Sequence, residues 1–552
     1  MSTATARSVS LHGALGHLID VQTDVSPGQV GLTLVGRPDA SLNESRDRCR
    51  MAVINGGFEW PSTKRITILL SPADLLKRGT HFDLAIAVSV LAADGTVPKA
   101  ALDGVVLIGE LTLDGNLRGV HGVLPMVLAA AARGVRRVFV PEPQAHEAAM
   151  VPDMEVLGVR SLGQVVAELR GDEVPWAPPV ASASGSRLLA WRGDERREEG
   201  DFADLLGLED TRFAVEVAAA GGHHLMLEGP KGAGKTSIAE RIPTILPDLT
   251  GSESLELTAI HSLAGVLEPG AGMVVRPPFS APHHDASKAS LIGGGSGAVR
   301  PGELSRTHLG VLFLDEFPLF HSDVIDALRQ PLESGDVTVA RREESVTLPA
   351  RAMVVLACNP CPCGEYAPRS GSMSCGCTER KRRDYRARIT GPIADRIDVV
   401  RYVEPLAPHD QRDVFSRAEP SEVVRRRVSL ARRRQADRYA GCSWRLNAHT
   451  PGPQLRDRWR LDADAQRMVD EQVYAGQLTG RGAVRVNRLA WTVLDLLPDE
   501  RARPGLDEVE VALRLRRGEP LLSSTLRRAG LAGDPTGRRH GSGSTTGWPA
   551  SR

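Results

Sequence analysis

Apolar and polar positions along residues 1–170 alternate in short runs separated by longer helical ones. "GLTLVG" (31–36) and "RITILL" (65–70) read as strands, and "FDLAIAVSVLAADG" (82–95) predicts a helix ending at Gly95. "VVLIGELTLDGNLRGV" (105–120) predicts strands about an Asp114-Gly115 turn. "VLPMVLAAAARG" (123–134) follows as a helix and "RRVFVP" (136–141) as a strand. Over 171–200 the pattern dissolves into "GDEVPWAPPVASASGSR" and a strongly charged stretch, the composition of an interdomain linker. From 201 to 405 apolar strands, loops and helices alternate, the signature of an α/β core. From 406 to 520 periodic, charged segments without β-runs predict a helical domain. Residues 521–552 close on "GDPTGRRHGSGSTTGWPASR", a composition expected to be disordered. The fold class expected is α/β, multidomain.

Length and charge change this picture little. A chain of 552 residues exceeds what one core supports, so two to four domains are expected. Lys+Arg and Asp+Glu are both 68, so net charge points to no partner. Distribution says more, because arginine crowds residues 380–460 in "ERKRRDYRAR", "RRRVSLARRR" and "RDRWR". Such runs read first as a solvated helical surface and second as a surface facing a polyanion. No charge-free apolar run reaches the roughly 18 residues of a membrane span, and the start lacks a signal peptide's apolar core. Seven cysteines, four of them in one short stretch, are no disulfide framework for a chain this large, so the cytoplasm is expected.

The chemistry concentrates in the α/β part. "HHLMLEGPKGAGKTSIAERIPTIL" (223–246) is a strand, a glycine loop and an amphipathic helix, and Gly229-Pro230-Lys231-Gly232-Ala233-Gly234-Lys235-Thr236 fits G-x-x-x-x-G-K-[ST]. With Ser237, this stretch offers successive backbone N–H groups to phosphates. Lys235 reaches the terminal phosphates, and the Thr236 hydroxyl holds Mg2+. "GVLFLDEF" (310–317) is a buried strand running into two acids, Asp315 for Mg2+ and Glu316 for the attacking water. "RAMVVLACN" (351–359) is a further apolar strand ending in Asn359. There it orients the lytic water or touches the γ-phosphate, provided the three strands are parallel neighbours. In "TGPIADRIDVVRYVEP" (390–405), Arg396 is either an ion-pair residue or an arginine offered to a neighbouring subunit's nucleotide. "LTGRGAVRVNRLAWTVLDLL" (478–497) supplies Arg481, Arg485 and Arg488, any one of which suits a second sensor.

The order GPKGAGKT, VLFLDEF, ACNP, ADRID and LTGR resembles the AAA+ ATPases, and within them the magnesium-chelatase-like YifB/ComM family. "APHHDASKASLIGGGSGAVRPGELSRTHLGVLFLDEF", "LRQPLESGDVTVAR", "NPCPCGEY" and "GELTLDGNLRGVHGVLPM" carry the same resemblance, which spans roughly residues 8–515. It implies an AAA+ P-loop core over 201–405, a helical lid over 406–520 and a ring-forming, hexameric ATPase that uses ATP and Mg2+. The family is linked to single-stranded or branched DNA, through branch migration in recombination or natural transformation. By the same resemblance Asn359 is the sensor, Arg396 the trans-acting arginine and Arg481 the second sensor; Lys231 stands where the family usually has proline. A magnesium-chelatase-type motor and a non-hydrolysing, ATP-locked scaffold are the rival readings.

Residues 1–170 resemble the proteolytic domain of Lon, which works with a Ser–Lys dyad. Here the expected serine region reads Lys77-Arg78-Gly79-Thr80-His81-Phe82, and the helix expected to carry the lysine has none. Without an activated nucleophile no protease is expected. Cys361-Pro-Cys363 and Cys375-Gly-Cys377 suit a tetrahedral zinc, although C-x-C is tighter than the usual spacing; the alternative is four reduced surface thiols. "GDVTVARREESVTLPAR" (335–351) reads as a hairpin with Arg341 and Arg342 near its tip, placed either to meet DNA phosphates in a pore or simply in solvent. His283 and His284 suggest a metal, but no third ligand is visible beside them, and a structural loop is expected.

Overall fold

The computed structural model describes residues 2–181, 200–295, 299–341, 344–366, 375–389, 391, 393–405, 418–497, 501–522 and 524. Arg342, most of the charged linker and nearly all of the C-terminal tail lie outside the described residues. The chain divides into two compact units, neither of them continuous in sequence. One comprises Met1–Glu199 with Pro247–Val355, the other Gly200–Leu246 with Leu356–Arg552.

The first unit opens on a hairpin whose first strand the apolar pattern does not announce. Ser2–His12 pairs antiparallel with Leu15–Ser26, which pairs antiparallel with Arg65–Ser71; Gly31–Val35 closes the edge, parallel to Arg65–Ser71. Ala4, Ala6, Ser8 and Ser10 form one buried face of the first strand, with Val9 buried on the other, so its period of two is written in small residues and escapes a hydrophobicity reading. Across this sheet lies the helix Asp83–Asp94, buried from Asp83 to Ala93 and stopped by left-handed Gly95. Such all-round burial is what its apolar run predicts.

A second sheet, all parallel, joins Val105–Leu107, Arg137–Pro141 and Glu155–Val159. The helix Val123–Ala131 shares a core with Ala259 of the helix Gly251–Ala264. Glu147 accepts the Leu124 N–H (2.9 Å) and the Ser262 hydroxyl, and burial pushes its carboxyl above the usual range. Later in this unit Val311–Leu314 runs parallel to Phe279–Ser280, and Asp336–Arg341 pairs antiparallel with Glu344–Pro349 as the predicted hairpin.

In the second unit Leu225–Glu228 runs parallel to Val399–Tyr402. Between residues 418 and 522 the described chain is helical, its longer helices being Ser421–Arg438, Ala463–Tyr474, Gly480–Leu496 and Leu506–Arg517. Tyr439, Trp459 and Trp491 are buried together, with the first two rings edge-to-face at 5.0 Å. A polar network runs beside them. Asn447 joins Tyr439 (2.7 Å), Thr492 (3.0 Å) and Asp495 (2.9 Å), and Thr492 meets His223 at 2.7 Å.

Four of the six arginines in "RRRVSLARRR", at 425, 427, 432 and 434, depart from the solvated surface first read for the run, while Arg426 and Arg433 are exposed. Arg425 donates to the Thr244 carbonyl, Arg432 to Ala219, and Arg434 to Asp495 and Leu497. These carbonyls lie in the last turns of three other helices, where a cation also meets the negative end of the helix dipole.

Candidate functional site

Leu225–Glu228 ends in the glycine loop, and the helix Lys235–Ile245 starts as the loop closes. Gly232 (φ 80°) and Gly234 (φ 84°) are left-handed, which a side chain would strain. A Cβ at Gly229 would stand 2.3 Å from the Val403 carbonyl oxygen, so only glycine allows that approach. At Gly232 and Gly234 a Cβ would meet nothing within 4 Å, so space lies open beside the loop. Gly234 is the N-cap of the helix and no side chain caps it, an arrangement that leaves a helix N-terminus able to receive an anion.

Lys235 is buried. Its ammonium donates to the carbonyls of Gly229 (2.7 Å) and Pro230 (2.9 Å) and to Asn359 Oδ1 (3.0 Å). Asn359 directly follows Met353–Cys358, a strand buried at all six positions, and the Cys358 carbonyl accepts the Gly229 N–H at 3.2 Å. Burial pushes the Cys358 thiol up to about 12, so it packs as a neutral side chain.

In the first unit the fully buried strand Val311–Leu314 delivers Asp315 and Glu316, both half-buried. Asp315 Oδ1 accepts the Glu316 N–H (2.8 Å). Glu316 has φ 49°, a left-handed backbone rare outside glycine and found where surrounding structure holds a residue in place. His284 Nδ1 lies 3.7 Å from Glu316 Oε2. His283, His284 and Asp285 also gather their ligand atoms within 4.8 Å. Asp285 thus stands as a third group beside the two histidines, where none was expected. Asp285 was adjacent in "APHHDAS", but the Glu316 contact joins positions 32 apart and left no local signal.

The arginines divide. Arg485 forms an ion pair with Asp398, which is fully buried and also faces His223 at 3.4 Å. Arg488 Nε donates to the Thr450 carbonyl (2.9 Å). Arg481 is exposed in the first turn of Gly480–Leu496, and Arg396 is half-buried in the turn Ala394–Arg396. Arg341 ends its hairpin strand in register with Glu344.

The four predicted thiols converge. Cys361, Cys363, Cys375 and Cys377 place their sulfurs within 4.8 Å of one another, with separations of 3.2 Å (361–363), 3.5 Å (363–375) and 3.6 Å (361–375). These approach the edge of a zinc tetrathiolate, about 3.8 Å for a Zn–S bond of about 2.3 Å.

A glycine loop between a strand in parallel pairing and a helix, with its lysine on an asparagine at a neighbouring strand end, is the arrangement of an AAA+-like core. Comparison with known families gives the narrower class. The model described as magnesium chelatase, subunit ChlI, matches residues 201–411, that of subunit ChlI of Mg-chelatase 21–144, and that of the ChlI C-terminal part 418–516. An uncharacterized protein of Mycobacterium tuberculosis is 44% identical over 519 residues, covering 94% of this chain and 99% of its own. YifB of Escherichia coli is 37% identical and the competence protein ComM of Haemophilus influenzae 35%, each over 90% of this chain and 94% of the relative. The chain belongs to the magnesium-chelatase-like YifB/ComM family.

Proposed function

We propose that the chain is a Mg2+-dependent ATPase of the AAA+ class that couples hydrolysis to DNA remodelling, with branch migration or unwinding in recombination or natural transformation as its task. The observation that carries this reading is the Lys235 ammonium, held on Gly229, Pro230 and Asn359 inside an open glycine loop. A terminal phosphate offers that cation full negative charge in place of neutral acceptors, an exchange favoured in a partly dry site. Backbone from Gly229 to Ser237 would cradle the phosphates. Thr236 and Asp315 would hold Mg2+, which offsets phosphate charge when bound. Glu316, with His284 beside it, is assigned to the attacking water and Asn359 to its orientation. Arg396 is assigned to a neighbouring copy's nucleotide in a hexameric ring, and Arg481 to the second sensor.

DNA is the favoured substrate because the H. influenzae relative is a competence protein and because cationic side chains stand free of the core. Arg380, Lys381 and Arg383 are exposed on the helix Glu379–Ala387, and Arg341 ends a hairpin strand in register with Glu344, with Arg342 next in sequence but outside the described residues. The four thiols are read as a structural zinc site. The N-terminal part is read as non-proteolytic. His81, in the segment where a nucleophile is expected, is buried against the Val9 carbonyl (2.7 Å), and burial lowers its pKa to about 4. The cytoplasm is the compartment these readings require.

Steady-state ATP hydrolysis, alone and with single-stranded, duplex and four-way-junction DNA, tests the proposal. Turnover is expected to rise with DNA and to fall about 100-fold or more in Lys235→Ala and Glu316→Gln. Turnover indifferent to every DNA would put a magnesium-chelatase-type motor first, a reading favoured by the chelatase-subunit models that match most of the chain. Unchanged turnover in Glu316→Gln would point instead to a scaffold that ATP only locks.

A further inference from the structure

We propose that Cys361, Cys363, Cys375 and Cys377 bind one Zn2+ and that this metal knuckle braces the phosphate loop, so that metal occupancy sets nucleotide affinity. The inference rests on the nucleotide-binding reading of the glycine loop and adds a control to it. One short segment carries both chemistries. Asn359, which accepts from Lys235, stands two residues before Cys361, and Gly364 directly follows Cys363. The Gly364 carbonyl accepts the Lys231 N–H (3.2 Å), so the backbone beyond the second thiol is bonded to the phosphate loop itself. A Cβ on Gly364 would lie 3.3 Å from Lys231 Cβ and 3.7 Å from the Asn359 amide, which places this glycine against both.

The turn is built around sulfur. Gly364 is left-handed (φ 80°), its N–H closes the turn on the Cys361 carbonyl (3.0 Å), and the Tyr366 N–H points at Cys361 Sγ (3.4 Å). An N–H directed at a sulfur orients a thiolate ligand and balances its charge. The second thiol pair is tied to the same place from the other side. Thr378, next to Cys377, caps the helix Glu379–Ala387. From that helix Arg382 and Arg386 lie over the Tyr366 ring at 4.5 and 5.9 Å, and Arg386 approaches Glu228 at 3.7 Å. Glu228 is the last residue of the strand that enters the glycine loop.

All four cysteines are free thiols, and sulfur separations of 3.2 to 3.6 Å far exceed a disulfide bond of about 2.05 Å. Soft thiolates in a closed set of four select a structural zinc. Around them Cys361 is buried, whereas Cys363 is exposed and Cys375 and Cys377 are half-exposed, so burial of these side chains contributes little to holding the turn. The metal would supply that fixation, and without it the Gly364 carbonyl and the wall beside Asn359 lose their anchor.

The test uses the full chain. Metal content is measured on the purified protein, and affinity for a fluorescent ADP analogue is followed before zinc is stripped with a zinc-selective chelator, after stripping, and after reloading with zinc alone. One zinc per chain is expected, absent from a Cys361→Ser/Cys375→Ser double variant. Stripping is expected to weaken nucleotide binding about tenfold, the equivalent of one loop hydrogen bond, and reloading to restore it. Gly364→Val is the second arm, expected to keep its zinc and still bind nucleotide several-fold more weakly. A wild-type chain with four reactive thiols and no zinc overturns the metal site. Zinc removal that leaves affinity unchanged overturns the bracing while the metal site stands. If stripping unfolds the chain, zinc-replete Gly364→Val decides, and wild-type affinity there overturns the proposal. Failure of zinc-loaded wild type to bind nucleotide at all brings down the ATPase reading, and this inference with it.

Discussion

Two helices of the second unit, Ser421–Arg438 and Glu379–Ala387, share an arginine-rich composition and use it in opposite ways. The first has a buried stripe of Val424, Val428, Ala431 and Gln435, and Arg425, Arg427, Arg432, Arg434 and Arg438 flank it. From those positions the guanidinium groups reach inward, to helix-terminal carbonyls and to Glu216 and Asp495. The second buries only Tyr385, so Arg380, Lys381 and Arg383 stay in solvent. A charge beside an apolar stripe becomes part of the core's polar frame; the same charge without a stripe remains a surface field.

The contrast is broken most severely at Glu216. It is 2% exposed, and Arg427 holds it at 2.7 and 2.9 Å. Arg427→Ala leaves that carboxylate buried and unpaired, an expected loss of about 3–5 kcal/mol seen as a large fall in melting temperature. An unchanged melting temperature would mean that these arginines are as dispensable as surface ones.

Arg485 with Asp398 sharpens the comparison through pH. Burial by itself would raise the Asp398 pKa, but Arg485 and His223 hold it well below the usual carboxylate range. A depressed folded-state pKa gives stability that is present above the unfolded value near 4 and lost as pH falls below it. Arg485→Met removes the partner and lets burial raise the pKa. The stability gap between wild type and variant is therefore expected to be wide at pH 7 and to narrow below about pH 4. Thermal melts across pH 3–7 check this, and a gap that widens in acid would contradict the pairing.

A smaller effect is expected where the arginine meets a carbonyl. Arg432→Ala removes both of its hydrogen bonds to the Ala219 carbonyl, at 3.0 and 2.7 Å. It is expected to cost about 1–2 kcal/mol, read by denaturant midpoint. Least affected in stability is the exposed helix. Arg380→Ala/Lys381→Ala/Arg383→Ala together are expected to leave the melting temperature unchanged, while DNA binding weakens and its salt dependence becomes shallower. A chain that unfolds on those changes would erase the distinction between the two helices.

The site was legible to very different degrees. The strand, glycine loop and helix around Lys235, the apolar strand into Asp315-Glu316, and the two C-x-C pairs were readable because each is a local pattern of period, turn residue and spacing. The first strand of the hairpin Ser2–Ser26 was not, since its alternating buried positions are Ala and Ser, in contrast to Ile19, Val21 and Val25 in the second. Nor was the contact of His284 with Glu316, or the Gly364 carbonyl under the Lys231 N–H, because each joins residues distant in sequence through side-chain reach or backbone placement.

The sequence by itself determined the local elements, the open glycine loop and the reserve of thiols and charges, because helix and strand periods and glycine's freedom are properties of neighbouring residues. Tertiary structure alone decided where the charges went. An arginine's partner was a carbonyl or carboxylate about 60 to more than 200 residues away, and only folding determines whether such an acceptor lies within the few ångströms over which a hydrogen bond acts.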